Sequence, residues 1–131
     1  MNAVSADMLD GGFFLGWPNL PNADTHLRLL RSSYYACVAV DGATGKAVGF
    51  INAVSDGVLS AYIPLLEVLP QYQGHGIGGA LVRQALDALG GLYMIDISCD
   101  EEVASFYVKF GAITHGRACM FRNYDAQSGR K

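Results

Sequence analysis

The stretch PQYQGHGIGGALV, Pro70 to Val82, separates two parts of the chain with different periodicity, and it restricts the fold more than any other segment. Ahead of it, apolar segments alternate with short turns. YYACVAV reads as a strand, DGATG as a hairpin loop, KAVGFINAV as a second strand, SDG as a second turn and LSAYIPLLEVL as a third strand. Strands joined by such short turns must be antiparallel neighbours. Behind it the period becomes helical. Apolar residues fall at 77, 81, 82, 85, 86 and 89, with Arg83, Gln84 and Asp87 on the other side. Gly90 and Gly91 end that helix. LYMIDISC reads as a further strand. DEEVASFYVKF reads as a helix capped by Asp100, with Lys109 in its last turn, and AITHGRACMFRNY as one or two closing strands. The strand–helix–strand step through Pro70 requires a right-handed parallel crossover. The expected fold class is α/β, with a mixed, mostly antiparallel sheet and helices on both faces.

The N-terminal part is less regular. DGGFFLGWPNLP sets Phe13, Phe14 and Trp17 among glycine and proline breakers, and NADTHLRLLRSS reads as a helix capped by Asn22 or Asp24 with Leu27 and Leu30 facing inward. A length of 131 residues suits one domain, residues 1–131. With 51% hydrophobic and 16% charged residues the chain is not a disordered one. A net charge of -3 gives no electrostatic footprint for nucleic acid. No apolar run reaches the roughly 18 residues of a membrane span, and the start carries no secretory pattern. Cys37, Cys99 and Cys119 are widely spaced, which fits free thiols in a reducing cytoplasm. His26, His75 and His115 are scattered and no cysteine pair occurs, so no metal site is expected.

Gly74, Gly76 and Gly79 spell G-x-G-x-x-G, and Asp96 follows 22 residues after Gly74. That is the outline of a dinucleotide fingerprint. Its context is wrong. Antiparallel strands come first, PQYQ separates the strand from the glycines, and Asp96 lies inside an apolar strand. A P-loop is excluded because no Lys-Ser or Lys-Thr follows the glycines. What stands is a glycine loop between strand and helix, whose amides and helix dipole converge on one anion, with phosphate the expected one.

The segment LEVLPQYQGHGIGGALV resembles the signature of the GNAT superfamily of acyl-coenzyme A-dependent N-acyltransferases: a strand, a proline, then Q/R-x-x-G-x-G/A opening a helix. Gln73, Gly76 and Gly78 hold the signature positions. CDEEVASFYVKFGA is similar to the family's later helix, with Tyr107 at its tyrosine and Ala112 where an aromatic is usual. The resemblance implies a single-domain GNAT fold and acetyl-CoA as co-substrate. It implies that amides of Gln73, Gly74, His75, Gly76, Ile77 and Gly78 hold the pyrophosphate. The pantetheine arm would run past Val68 and Leu69, in a slot between LEVLP and IDISC. It further implies direct transfer of the acetyl group to a primary amine, with Tyr107 as the acid for the leaving thiolate.

An alkyl amine titrates near pH ~10, so a base must take its proton at neutral pH. Glu67 is the first candidate, as the one carboxylate in an apolar strand. Asp96 is second, and the three histidines could also serve. Cys99 has no adjacent base and reads as a buried free thiol rather than an acyl carrier. The acceptor is expected to be a small molecule, with Phe13, Phe14 and Trp17 lining a cup for its apolar body. A protein N-acetyltransferase or an acyl-CoA sensor on the same fold stays open, as does, further off, a nucleotide-binding oxidoreductase. The oligomeric state is open too, a homodimer being one arrangement.

Overall fold

A computed structural model describes residues 1–114 and 123–129. One short helical turn, α1 (Ala6–Leu9), is followed by α2 (Ala23–Ser32). Then come β1 (Tyr35–Val40), β2 (Ala47–Ser55) and β3 (Ser60–Val68). After a 3-10 turn at Pro70–Tyr72 the chain forms α3 (Ile77–Ala88), β4 (Met94–Ile97) and α4 (Glu101–Val108). The sheet order is β1-β2-β3-β4. The first two pairings are antiparallel and β3–β4 is parallel, as the change of period required. His115, Cys119 and most of the expected closing strand lie outside the described residues.

Each face of the sheet carries its own core. On one face Leu81, Val82 and Ala85 of α3 and its C-cap Leu89 bury against Ile51, Ala53, Ala61 and Ile63, with Phe106, Tyr107 and Phe110 packed beside them. These α3 positions are the apolar stripe of the helical period. Gly49 lets α3 approach β2: a Cβ there would stand 3.3 Å from both Ile77 and Leu81 side chains. On the other face Val4, Leu9, Phe13, Phe14, Leu30, Phe50 and Leu69 form the second core. Asn22 starts α2 by accepting the Thr25 N–H at 2.9 Å, which satisfies one free donor of the first turn.

A bulge in β3 prepares the site. Asn52 pairs with Leu65, but Val54 pairs with Tyr62, so Ile63 and Pro64 stand opposite the single residue Ala53. The extra residue switches faces. Ile63 packs toward α3, whereas Leu65 packs toward α2 and Leu66 and Val68 toward α3. Pairing with β4 stops at the bulge: it runs from Ser60↔Met94 to Ile63↔Ile97 and no farther, although β3 continues to Val68.

Three expectations need correction. Phe13 and Phe14 do not line a cup; they are 5% and 3% exposed and fill the core, because the breakers around them fold the loop back onto Phe50. Only Trp17, tilted against Phe14 at 5.0 Å, keeps partial exposure. Leu27 packs against this core as expected, though only partly buried, while His26, one of the three histidines offered as a base, is buried with Leu30. Cys99, expected to be buried, is exposed two residues past the end of β4.

His26 is 1% exposed and sits among Phe13, Phe14 and Phe50, with ring centroids 5.2, 4.8 and 4.3 Å away. Its Nε2 has no partner among the described residues, and burial pushes its pKa from 6.5 down to about 4. The folded chain keeps this ring neutral while the unfolded chain protonates it below pH 6.5. Stability is therefore complete above that pH and lost as pH falls toward about 4, by roughly 3 kcal/mol. Urea unfolding at pH 7 and pH 4 checks this. His26→Leu is expected to lose less stability between the two than wild type, and equal losses would refute the assignment.

Candidate functional site

The candidate site is the split between β3 and β4, with the glycine loop at the end of β3. Leu69 N–H donates to Val48 O at 2.9 Å, on the β2 side. Strand alternation then turns the main-chain groups of Leu66 and Val68 to the opposite edge, into the split. Val68 O accepts from Gln73 Nε2 at 2.9 Å. The signature glutamine thus ties the glycine loop to the end of β3. Of the two expected arm-binding positions, Val68 faces the split and the Leu69 amide is engaged with β2.

The loop has the conformation that its glycines allow. Gly74 and Gly76 have φ of 81° and 83°, and Gly76 is the N-cap of α3 without any side-chain cap. The first helical bond runs from Ala80 N to Gly76 O. The amides of Gly74, His75, Gly76, Ile77, Gly78 and Gly79 therefore have no partner among the described residues. Free amides and the positive end of the α3 dipole meet there, which is an anion-binding arrangement. The Gln73 amide itself donates to Pro70 O at 3.3 Å. His75 is exposed, and its Nδ1 lies 3.1 Å from Tyr72 O and 3.0 Å from Gln73 O. Two carbonyl partners require the proton on Nδ1 and leave Nε2 facing solvent.

Sequence reasoning missed one support of this loop. The Tyr72 hydroxyl donates to Asp41 Oδ2 at 2.6 Å, tying it to the β1–β2 hairpin. That bond holds the Asp41 carboxyl below its ordinary value and raises Tyr72. A tyrosine among loop residues, opposite a turn aspartate, was the available signal.

Glu67 and Tyr107 belong to opposite faces of the sheet. Glu67 is half-buried on the α2 face, and both its oxygens accept the Phe14 N–H, at 3.0 and 3.2 Å. Burial pushes its pKa up, and the Phe14 bond partly offsets this. Phe14 has φ 65°, the one described non-glycine residue in the left-handed region, at a cost of about 1–2 kcal/mol. Tyr107 is half-buried on the α3–α4 face, edge-to-face with Phe106 at 5.1 Å. Burial raises its pKa, with the nearby Cys99 thiol adding to the shift. Phe106 reaches the glycine loop: a Cβ on Gly78 would stand 3.6 Å from its ring. Asp96 is exposed and pairs with Tyr62, below the point where the strands part. Among the described residues no cluster could hold a metal ion, and no helix is long and apolar enough to cross a membrane.

A split sheet edge under an uncapped glycine helix start is an architecture shared with known proteins. The acetyltransferase (GNAT) family model matches residues 6–112, and the chain belongs to that family. It is 30% identical over 102 residues to an uncharacterized N-acetyltransferase, ycf52, of Pyropia yezoensis, in a match covering 76% of this chain and 59% of the relative. The chain thus spans about three-fifths of that relative's length. Among solved structures, a candidate acetyltransferase from Deinococcus radiodurans R1 matches with a TM-score of 0.90 at 42% identity, over 97% of this chain and 87% of that one. A GNAT family acetyltransferase from Streptococcus pneumoniae TIGR4 matches with a TM-score of 0.65 at 29% identity, over 83% and 84%.

Proposed function

We propose that this chain transfers an acetyl group from acetyl-CoA to a primary amine of a small molecule, by direct attack within a ternary complex. The observation that carries the reading is the uncapped, glycine-lined start of α3, tied by Gln73 to the open end of β3. The amides from Gly74 to Gly79 take the pyrophosphate. Val68 offers its main-chain N–H to the pantetheine arm inside the split. Glu67 takes the proton from the attacking amine. The neutral Tyr107 hydroxyl gives one to the departing thiolate, and its raised pKa keeps it protonated at neutral pH.

The test is thiol release from acetyl-CoA with a panel of alkyl, aromatic and polyanionic amines. Release with small primary amines is expected. Tight acetyl-CoA binding without release for any amine would make the chain a sensor, and tight NAD binding in place of acetyl-CoA would sink the reading. A second expectation concerns Glu67. Its pKa is raised, so activity is lost on acidification at a pH above the ordinary glutamate range. Glu67→Gln is expected to flatten that acid limb of kcat/KM; an unmoved limb would shift attention to Asp96→Asn.

A further inference from the structure

The contact between Glu67 and Phe14 does something that a base alone does not require. Both carboxylate oxygens reach one backbone N–H, and that N–H belongs to the strained residue of the Gly11–Trp17 loop. The loop begins with two glycines and contains a third at Gly16, so little of its own sequence fixes its path. Its anchors are the buried rings of Phe13 and Phe14 and this hydrogen bond. We infer that ionised Glu67 is the latch that holds this loop beside the split, and that the proton it takes from the acceptor amine weakens the latch.

The chemistry balances simply. The amine nitrogen loses a proton, a Glu67 oxygen gains it as an O–H, and no other bond changes in that step. Before transfer the Phe14 N–H faces a full carboxylate charge. Afterwards it faces a neutral carboxyl, which accepts a hydrogen bond more weakly. The backbone strain at Phe14 is the same in both states, so the balance moves toward release. The loop would be held while the amine is positioned and would loosen once it has reacted. The second half of this inference rests on the base role proposed above; the latch itself rests on the contact alone.

The groups around the contact limit what else could titrate. No residue from Gly11 to Pro18 is ionisable. From α2, His26 packs on the Phe14 ring, and the Arg31 guanidinium donates to Val4 O. Beyond β3, the Tyr72 hydroxyl is engaged with Asp41. Glu67 and His26 are therefore the two groups to separate.

The chain has one tryptophan, Trp17, and it packs on Phe14. Its emission in the free protein reports the latch without any substrate. Wild type is expected to change emission with pH, with a midpoint above the ordinary glutamate value. Glu67→Gln keeps an oxygen for the Phe14 N–H but cannot ionise, so the change should disappear. His26→Gln should leave it in place. An emission change that persists in Glu67→Gln, that vanishes in His26→Gln, or that is absent from wild type overturns the latch. Kinetics give a second readout. Glu67→Gln, a neutral acceptor, should lower kcat and also raise acceptor KM severalfold through the loosened loop, whereas Glu67→Ala, with no acceptor at all, should raise that KM about tenfold. If no amine is acetylated at all, the proposed function fails while the emission experiment still decides the latch.

Discussion

Gly76→Asp is expected to leave the fold standing and to remove acetyl-CoA binding. A Cβ at Gly76 would meet nothing within 4 Å, so the added side chain finds open space rather than a clash. The residue has φ 83°, a region that aspartate tolerates better than most side chains. The damage is electrostatic. The carboxylate would stand among the free amides of the α3 start, where the phosphates are to sit. Two like charges ~4 Å apart near a protein surface repel by about 4 kcal/mol, which is between two and three decades in dissociation constant. Calorimetry should show affinity weakened by roughly 10²-fold or more, with a near-native melting temperature. Gly76→Ala serves as control, since it carries the backbone strain without the charge. Binding of the aspartate variant within tenfold of wild type would move the phosphates elsewhere.

Tyr107→Phe is expected to lower kcat by roughly 10²-fold while leaving acetyl-CoA affinity almost unchanged. The substitution removes one hydroxyl and keeps the ring against Phe106 and the α3 core. Wild type should hold its activity up to a pH above the ordinary tyrosine value, because burial keeps the hydroxyl protonated. Steady-state kinetics across alkaline pH check both points. An unchanged kcat would return Tyr107 to a packing role.

The parts of the fold governed by periodicity were legible. The α3 stripe and the antiparallel β1–β2–β3 order follow from apolar spacing and short turns, and the structure has both. The glycine turn before α3 was legible, because a run of glycines at a strand-to-helix junction calls for positive φ, which Gly74 and Gly76 adopt. What was not legible depends on contacts between distant segments. His26 lies four residues before Leu30, on the same helical face, yet its polar type concealed its burial. Val103 lies one turn before Tyr107 on α4, yet it is 43% exposed, because eight residues of helix turn only part of their surface to the sheet. Phenylalanine has no preference for the left-handed region, so nothing local marks Phe14, and its bond to Glu67 spans 53 residues. The bulge did have a marker, since Pro64 inside a strand signals interrupted pairing.

Pro64 has a consequence for how a ligand would enter. It stands in the bulge, one residue after the last pair between β3 and β4. With no N–H to offer, it cannot carry a regular ladder through the bulge, and β4 itself ends at Ile97, so no β3–β4 pair follows Ile63↔Ile97. An incoming pantetheine chain would find a gap already formed, with no interstrand bonds to break on the way in. Preformed sites avoid the ordering cost that induced ones carry, so association should be a single kinetic phase, its rate proportional to ligand concentration and without a plateau.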